Sequence, residues 1–195
     1  TVTEYGNAIG LSEKLLQLSW DNLLSEAALL LGRDYAMVRD MLLRDVVSTG
    51  GNDTLYTTSS ASALVGVLND DTFDVETVRV AVENLQTANA PKFNGDYYVC
   101  FLHPHQAAYL RRDPDWIAAH QYAGSRNLFN GEVGRWEDVI FIVSTNQQNG
   151  VGASTLPSYD STLNNAGAGG QDLFRANIIG DQAFALAEAV PVELR

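Results

Sequence analysis

Residues 97–102 read YYVCFL, an apolar run of aromatic and branched side chains without polar alternation. A run of that kind suits a strand covered on both faces and not one open to water on one side. Cys100 is therefore expected in a core. The residues just after the run are equally constrained. His103 precedes a proline, where helical backbone is disfavoured, and Pro104 has the preset φ of a first helical position. A helix is predicted to start there and stop near Asp113. Asp113-Pro114 then restarts a helix, with Asp113 capping amides ahead of Trp116, Ile117 and Ala118. Asn130-Gly131 is a turn signal leading into a second apolar strand at 139–143, VIFIV.

Upstream, residues 11–47 carry a helical stripe: Leu16, Trp20, Leu23, Ala27, Leu30 and Leu31, continued by Tyr35, Val38, Leu42 and Val46. Gly32 is the weak point. Glycine costs about 1 kcal/mol against alanine inside a helix, so a break there and a passage through it are both open. The cluster STGGND at 48–53 is expected to end the helix and lead into a second domain. Residues 54–68 are β-prone. Residues 72–85 read as an amphipathic helix with Val75, Val78, Val82 and Leu85 inward, capped by Thr72 or Asp74. Residues 147–172 are rich in glycine, asparagine, serine and threonine, with Asp160 and Asp172 as the only charges. A loop of that length is functional or disordered. The last segment predicts a strand through Ile179, a turn at Gly180-Asp181, a segment at 183–187 and a strand at 190–194.

A chain of 195 residues supports one domain or two closely joined ones. Acidic residues outnumber basic ones 24 to 12, a formal charge of −12 that repels phosphate backbones and anionic membranes. Sequence-specific nucleic-acid binding and membrane association are accordingly not expected. The single cysteine forms no internal disulfide, and no apolar run approaches the roughly 20 residues needed to span a bilayer. The N-terminus lacks the pattern of a signal peptide, so a reducing, cytoplasmic origin is expected. Starting at Thr1 and ending after AVPVEL, the chain reads as a processed or excerpted piece.

Chemical constellations are few. His103 and His105 have a His-x-His spacing, but with Pro104 between them the two rings need not point together; with His120 they are the only histidines, and no metal site is assigned. Asn69, Asp70, Asp71, Asp74 and Glu76 lack the spacing of a calcium loop and are better read as helix capping. Glu132, Glu137 and Asp138 sit beside a turn, where exposure is expected. No nucleophile elbow, phosphate loop or dinucleotide fingerprint occurs, so no catalytic residue and no cofactor is assigned, and the chain is not read as an enzyme. Trp116, Tyr122, Phe129 and Trp136 are candidate interface aromatics, with a core position for at least two of them as the other reading.

The order of features from 97 to 145 resembles the axial domain of tailed-bacteriophage major capsid proteins with the Hong Kong 97 fold, in the branch typified by phage N-four. The features are the strand ending in His103-Pro104, the helix closing on Leu110, Arg111 and Arg112, Asp113-Pro114 with Trp116, then Tyr122, Asn127, Leu128 and Phe129, and finally the 130–134 turn and the second strand. IIGDQAFALA at 178–187 is similar to the glycine-containing turn near the end of that domain. The resemblance implies an α+β fold, a long spine helix plus an axial domain whose central mixed β-sheet is flanked by helices. It makes residues 23–47 the spine helix and residues 1–10 the return strand of an extended loop. Residues 1–50 would belong to the peripheral domain and 51–195 to the axial domain, with 147–172 a loop meeting neighbouring subunits through Leu156, Tyr159 and Leu163. The implied function is a structural shell protein. It self-assembles head to tail into pentamers and hexamers of an icosahedral phage head around double-stranded DNA. Scaffolding, portal or decoration proteins are the implied partners, and the virion, assembled in the host cytoplasm, the location. Two alternatives stay open: an encapsulin-like nanocompartment shell, and a metal-dependent hydrolase using His103, His105 and an acidic residue.

Overall fold

A computed structural model describes residues 5–19, 22–50, 54–57, 63–122, 132–152 and 154–187. Trp20, Phe129, the Asn130-Gly131 turn and the strand expected at 190–194 lie outside them. The chain divides into two units, Thr1–Val46 and Val47–Arg195.

In the first unit, α1 (Glu13–Leu18) starts where the Ser12 side chain accepts the Leu15 amide and ends at Ser19. Helix α2 runs Leu23–Gly50. The interruption in the helical stretch thus falls between these helices, not at Gly32. A Cβ on Gly32 would meet nothing within 4 Å, so the helix passes through it unhindered. Ser48, Thr49 and Gly50, expected to end the helix, are its last residues. Leu23, Ala27, Leu31, Val38 and Leu42 form a partly covered stripe, whereas Leu30, Tyr35 and Val46 are exposed. Leu30 belongs to a different face from Leu31 because each helical residue turns the chain by about 100°. Residues 5–10 hold no strand, although the return strand was expected there; Asn7 instead donates from Nδ2 to Asp34 on α2 at 2.8 Å.

The second unit is built on a four-stranded sheet in the order β2-β3-β1-β4. Its strands are β1 (Tyr98–Leu102), β2 (Glu132–Trp136), β3 (Val139–Val143) and β4 (Asn177–Ile179). β1 and β3 run parallel, while β2 and β4 are antiparallel to their neighbours, so the sheet is mixed. Helices α3 (Val75–Thr87), α4 (Pro104–Leu110) and α5 (Pro114–Tyr122) complete the unit. Tyr98, Cys100 and Leu102 of β1 and Val139 and Phe141 of β3 join Val75, Val78, Val82, Ala107, Leu110 and Trp116 in one core. The intervening Val99, Phe101, Ile140 and Ile142 are only partly covered. One face of the apolar run is therefore sealed and the other half-open, in place of two sealed faces.

Capping follows the sequence closely. Asp74 rather than Thr72 caps α3, accepting the Thr77 amide at 2.8 Å. At α4, His103 Nδ1 accepts the His105 amide at 3.2 Å, while Gln106 Oε1 accepts the His103 amide at 3.0 Å, a reciprocal capping box. Asp113 caps α5 through the Asp115 amide at 2.8 Å, and its other oxygen accepts the Val75 amide at 3.0 Å, joining the starts of α5 and α3. The β-prone 54–68 stretch forms no strand among its described residues; Leu64–Gly66 is a short 3-10 turn.

Candidate interface surface

The seven residues expected at an interface fall into distinct environments. Trp116 is 5% exposed; it stacks on Trp136 with centroids 6.2 Å apart and sets its plane edge-on to Phe141 at 5.3 Å. Trp136 packs against the core from its edge, and its Nε1 has no hydrogen-bond partner among the described residues. The Arg79 guanidinium lies 5.9 Å from its ring centroid. Both tryptophans thus contribute to the core of their own subunit. Tyr122 is the last residue of α5, and Phe129 lies outside the described residues.

The remaining three belong to the 147–172 loop, which is held by a dense set of backbone and amide hydrogen bonds. Asn149 is its centre. Its amide donates to Ser158 O at 2.9 Å, its carbonyl accepts the Asp160 amide at 2.8 Å, and its side chain bonds Gln147 O and the Val151 amide. Gly150 donates to Leu173 O, and Leu173 donates to Leu163 O, both at 2.9 Å. A Cβ on Gly150 would strike the Leu163 and Asn164 backbone, so only glycine fits. Asp172 accepts from the Asn164 side chain and the Asn165 amide, each at 2.9 Å. Ala168 donates to Val67 O at 2.9 Å, fixing the loop to the stretch before α3.

Within this knot Leu163 is 2% exposed and anchors the loop from inside. Tyr159 is partly covered and bridges to Asn149. Leu156 is 48% exposed and Val151 45%, so the outward apolar surface of the loop is formed near these two. The sequence marks the anchors without distinguishing which point inward. Val151 was missed; it sits between two glycines and carries no periodicity that would have flagged it.

The chemical constellations resolve into structural roles. His103 and His105 both lie against Phe174, with centroids 5.0 and 4.7 Å away, and His103 Nδ1 is occupied by the His105 amide. Burial, and then the neighbouring His105, hold the His103 pKa below its usual value. His120 lies on α5. Asp71 accepts the Leu68 amide at 2.7 Å, Asp74 caps α3, and Glu76 pairs with Arg79 at 3.2 Å. Glu137 and Asp138 form the two-residue turn between β2 and β3 with φ of 41° and 63°, a left-handed conformation that side chains other than glycine, asparagine and aspartate seldom adopt. Arg79 holds Glu137 at 3.0 Å, and Lys92 holds Asp138 at 2.7 Å. The Lys92 hydrogen bond keeps the Asp138 carboxyl below the usual carboxylate range, and Arg135 does the same for Asp96. No signal in the sequence exposed this turn, because it has no glycine.

Residues 37–190 match the family model described as phage capsid protein. No sequence match was found among curated proteins. Among solved structures, the capsid of Ralstonia phage GP4 is similar in fold, with a TM-score of 0.58 and 20% sequence identity. The likeness covers 88% of this chain and 55% of that one, so the chain spans about half the length of the solved capsid subunit.

Proposed function

The chain belongs to the phage capsid protein family, and on that basis we propose that it is a structural major capsid subunit with the Hong Kong 97 fold. Its work is to build the virion shell around double-stranded DNA. Helix α2 serves as the spine helix of a peripheral part, residues 1–50, and residues 51–195 are the axial domain that gathers into pentamers and hexamers. Scaffolding, portal and decoration proteins fit as further partners during assembly in the host cytoplasm.

One observation carries the reading furthest beyond family membership. A helix of 28 residues contains no fully buried residue, and Leu24, Leu29 and Leu30 are each close to 60% exposed. Apolar residues on this scale need a cover, and a shell supplies one through neighbouring subunits. The hydrogen-bonded 147–172 loop supports the same reading, offering Leu156 and Tyr159 to a neighbour while Leu163 anchors it from within. Tyr122 and Phe129 complete the proposed contact. Each subunit contact is head to tail, and several weak contacts together make the closed shell long-lived.

Electron microscopy of the purified full-length product tests this. Closed icosahedral particles protecting DNA from nuclease are expected. Monodisperse monomers or small oligomers from the intact chain would overturn the reading.

A further inference from the structure

Helix α4 carries a strip of rings that ends in two guanidinium groups. Phe174 packs against His105, His105 meets Tyr109 at 5.1 Å, and the Arg112 guanidinium lies 5.5 Å from the Tyr109 centroid. Arg111 sits beside it at the C-cap of the helix, and both arginines are exposed. The other described cations of this unit all face carboxylates: Arg79 on Glu137, Lys92 on Asp138, Arg135 on Asp96 and Arg175 on Asp160. Arg111 and Arg112 have no such partner among the described residues. Two adjacent like charges are thus left open on a chain of formal charge −12.

We infer that Arg111 and Arg112, steadied by Tyr109, dock a carboxylate-bearing surface of a second copy of this chain. The inference rests on the shell reading and adds a specific contact to it. Arginine's planar fork matches a carboxylate in two parallel hydrogen bonds, and arginine and tyrosine are enriched among the residues that dominate association. The chain offers such carboxylates on other faces: Asp70 and Glu83 are exposed and hold no cation among the described residues. A contact between different faces of identical subunits is head to tail. Nucleic acid fits less well. Base stacking needs free ring faces, and here the rings pack on one another and under Arg112. The acidic remainder of the chain repels phosphate as well.

The test compares full-length wild type with R111E/R112E and R111A/R112A in shell assembly at low and high salt, with a thermal melt of each unassembled subunit. The expected result is an unchanged melting temperature and at least about a tenfold rise in the concentration needed for assembly, larger for the glutamate pair and shrinking at high salt. Assembly of both variants at the wild-type concentration overturns the inference while leaving the shell reading intact. Normal shells that retain less DNA overturn it in favour of a nucleic-acid contact. Wild-type protein that never forms shells removes the shell reading and this inference with it. Should the glutamate pair fail to fold, the alanine pair decides alone by the same criterion.

Discussion

Strand β1 and helix α2 are both rich in apolar residues, yet they meet opposite fates. Tyr98, Cys100 and Leu102 are fully enclosed by α3, α4, α5 and β3, while α2 buries none of its residues. The difference lies in what the chain provides around each. The second unit supplies helices on short connections to seal its sheet, and so owns a core. The first unit supplies a six-residue helix and an extended stretch tied on by Asn7. Hydrophobic content alone therefore does not say where a core forms.

The largest expected effect sets the two regions against each other directly. Leu102→Ala should destabilise the second unit by about 2–5 kcal/mol, through lost burial and the cavity left behind. Leu30→Ala on α2 should change the stability of the unassembled subunit by less than about 0.5 kcal/mol. Urea unfolding followed by tryptophan fluorescence and circular dichroism measures both. Equal losses would mean that α2 is already packed in the free subunit, and the contrast would fail.

Next in size is Gly150→Ala. A methyl group there collides with the Leu163 and Asn164 backbone, so a loss of about 1–3 kcal/mol is expected, with new proteolytic cleavage inside residues 147–172. Uncut protein of wild-type stability would show that the loop has slack the structure does not contain.

Gly32→Ala should act in the opposite direction. The site is open on all sides within a continuous helix, so alanine should stabilise α2 by about 0.4–1 kcal/mol, seen as a higher melting point of the helical signal. A drop would place something against Gly32 in solution.

The smallest effect concerns pH and again divides the regions, since all three histidines lie in the second unit. The His103 pKa is lowered in the fold, so the unfolded chain takes up a proton first. Its contribution is intact above the usual value of 6.5 and is lost as pH falls from there through the lower folded value. Proton NMR should show His103 titrating below 6.5. A midpoint at or above that value would mean that the His103 ring is not withdrawn from water as it is in the structure.

Much of the second unit was legible because its signals are local. His103-Pro104, Asp74 and Asp113-Pro114 set helix starts through chemistry confined to a few residues, and the YVCFL and VIFIV runs announced their strands. What escaped was long-range. Asp113 reaching Val75, Gly150 pressed on Leu163, and the Glu137-Asp138 turn held by Arg79 and Lys92 all depend on partners far along the chain. The stripe of α2 was legible as a helix but not as an exposed one, because periodicity reports which residues share a face and not whether anything covers it. Among the residues proposed for an interface the aromatic ones stood out by type, yet their inward or outward placement is a property of packing.

The closed hydrogen-bond network around Asn149 also bears on the speed of encounter. A stretch this polar would ordinarily sample many shapes, and any partner would have to wait for the right one and lose affinity to its ordering. Here the described residues around Asn149 already hold one another through hydrogen bonds within the chain. If Leu156 meets a neighbour as proposed, less ordering is left for that encounter to supply than a free polar loop would require.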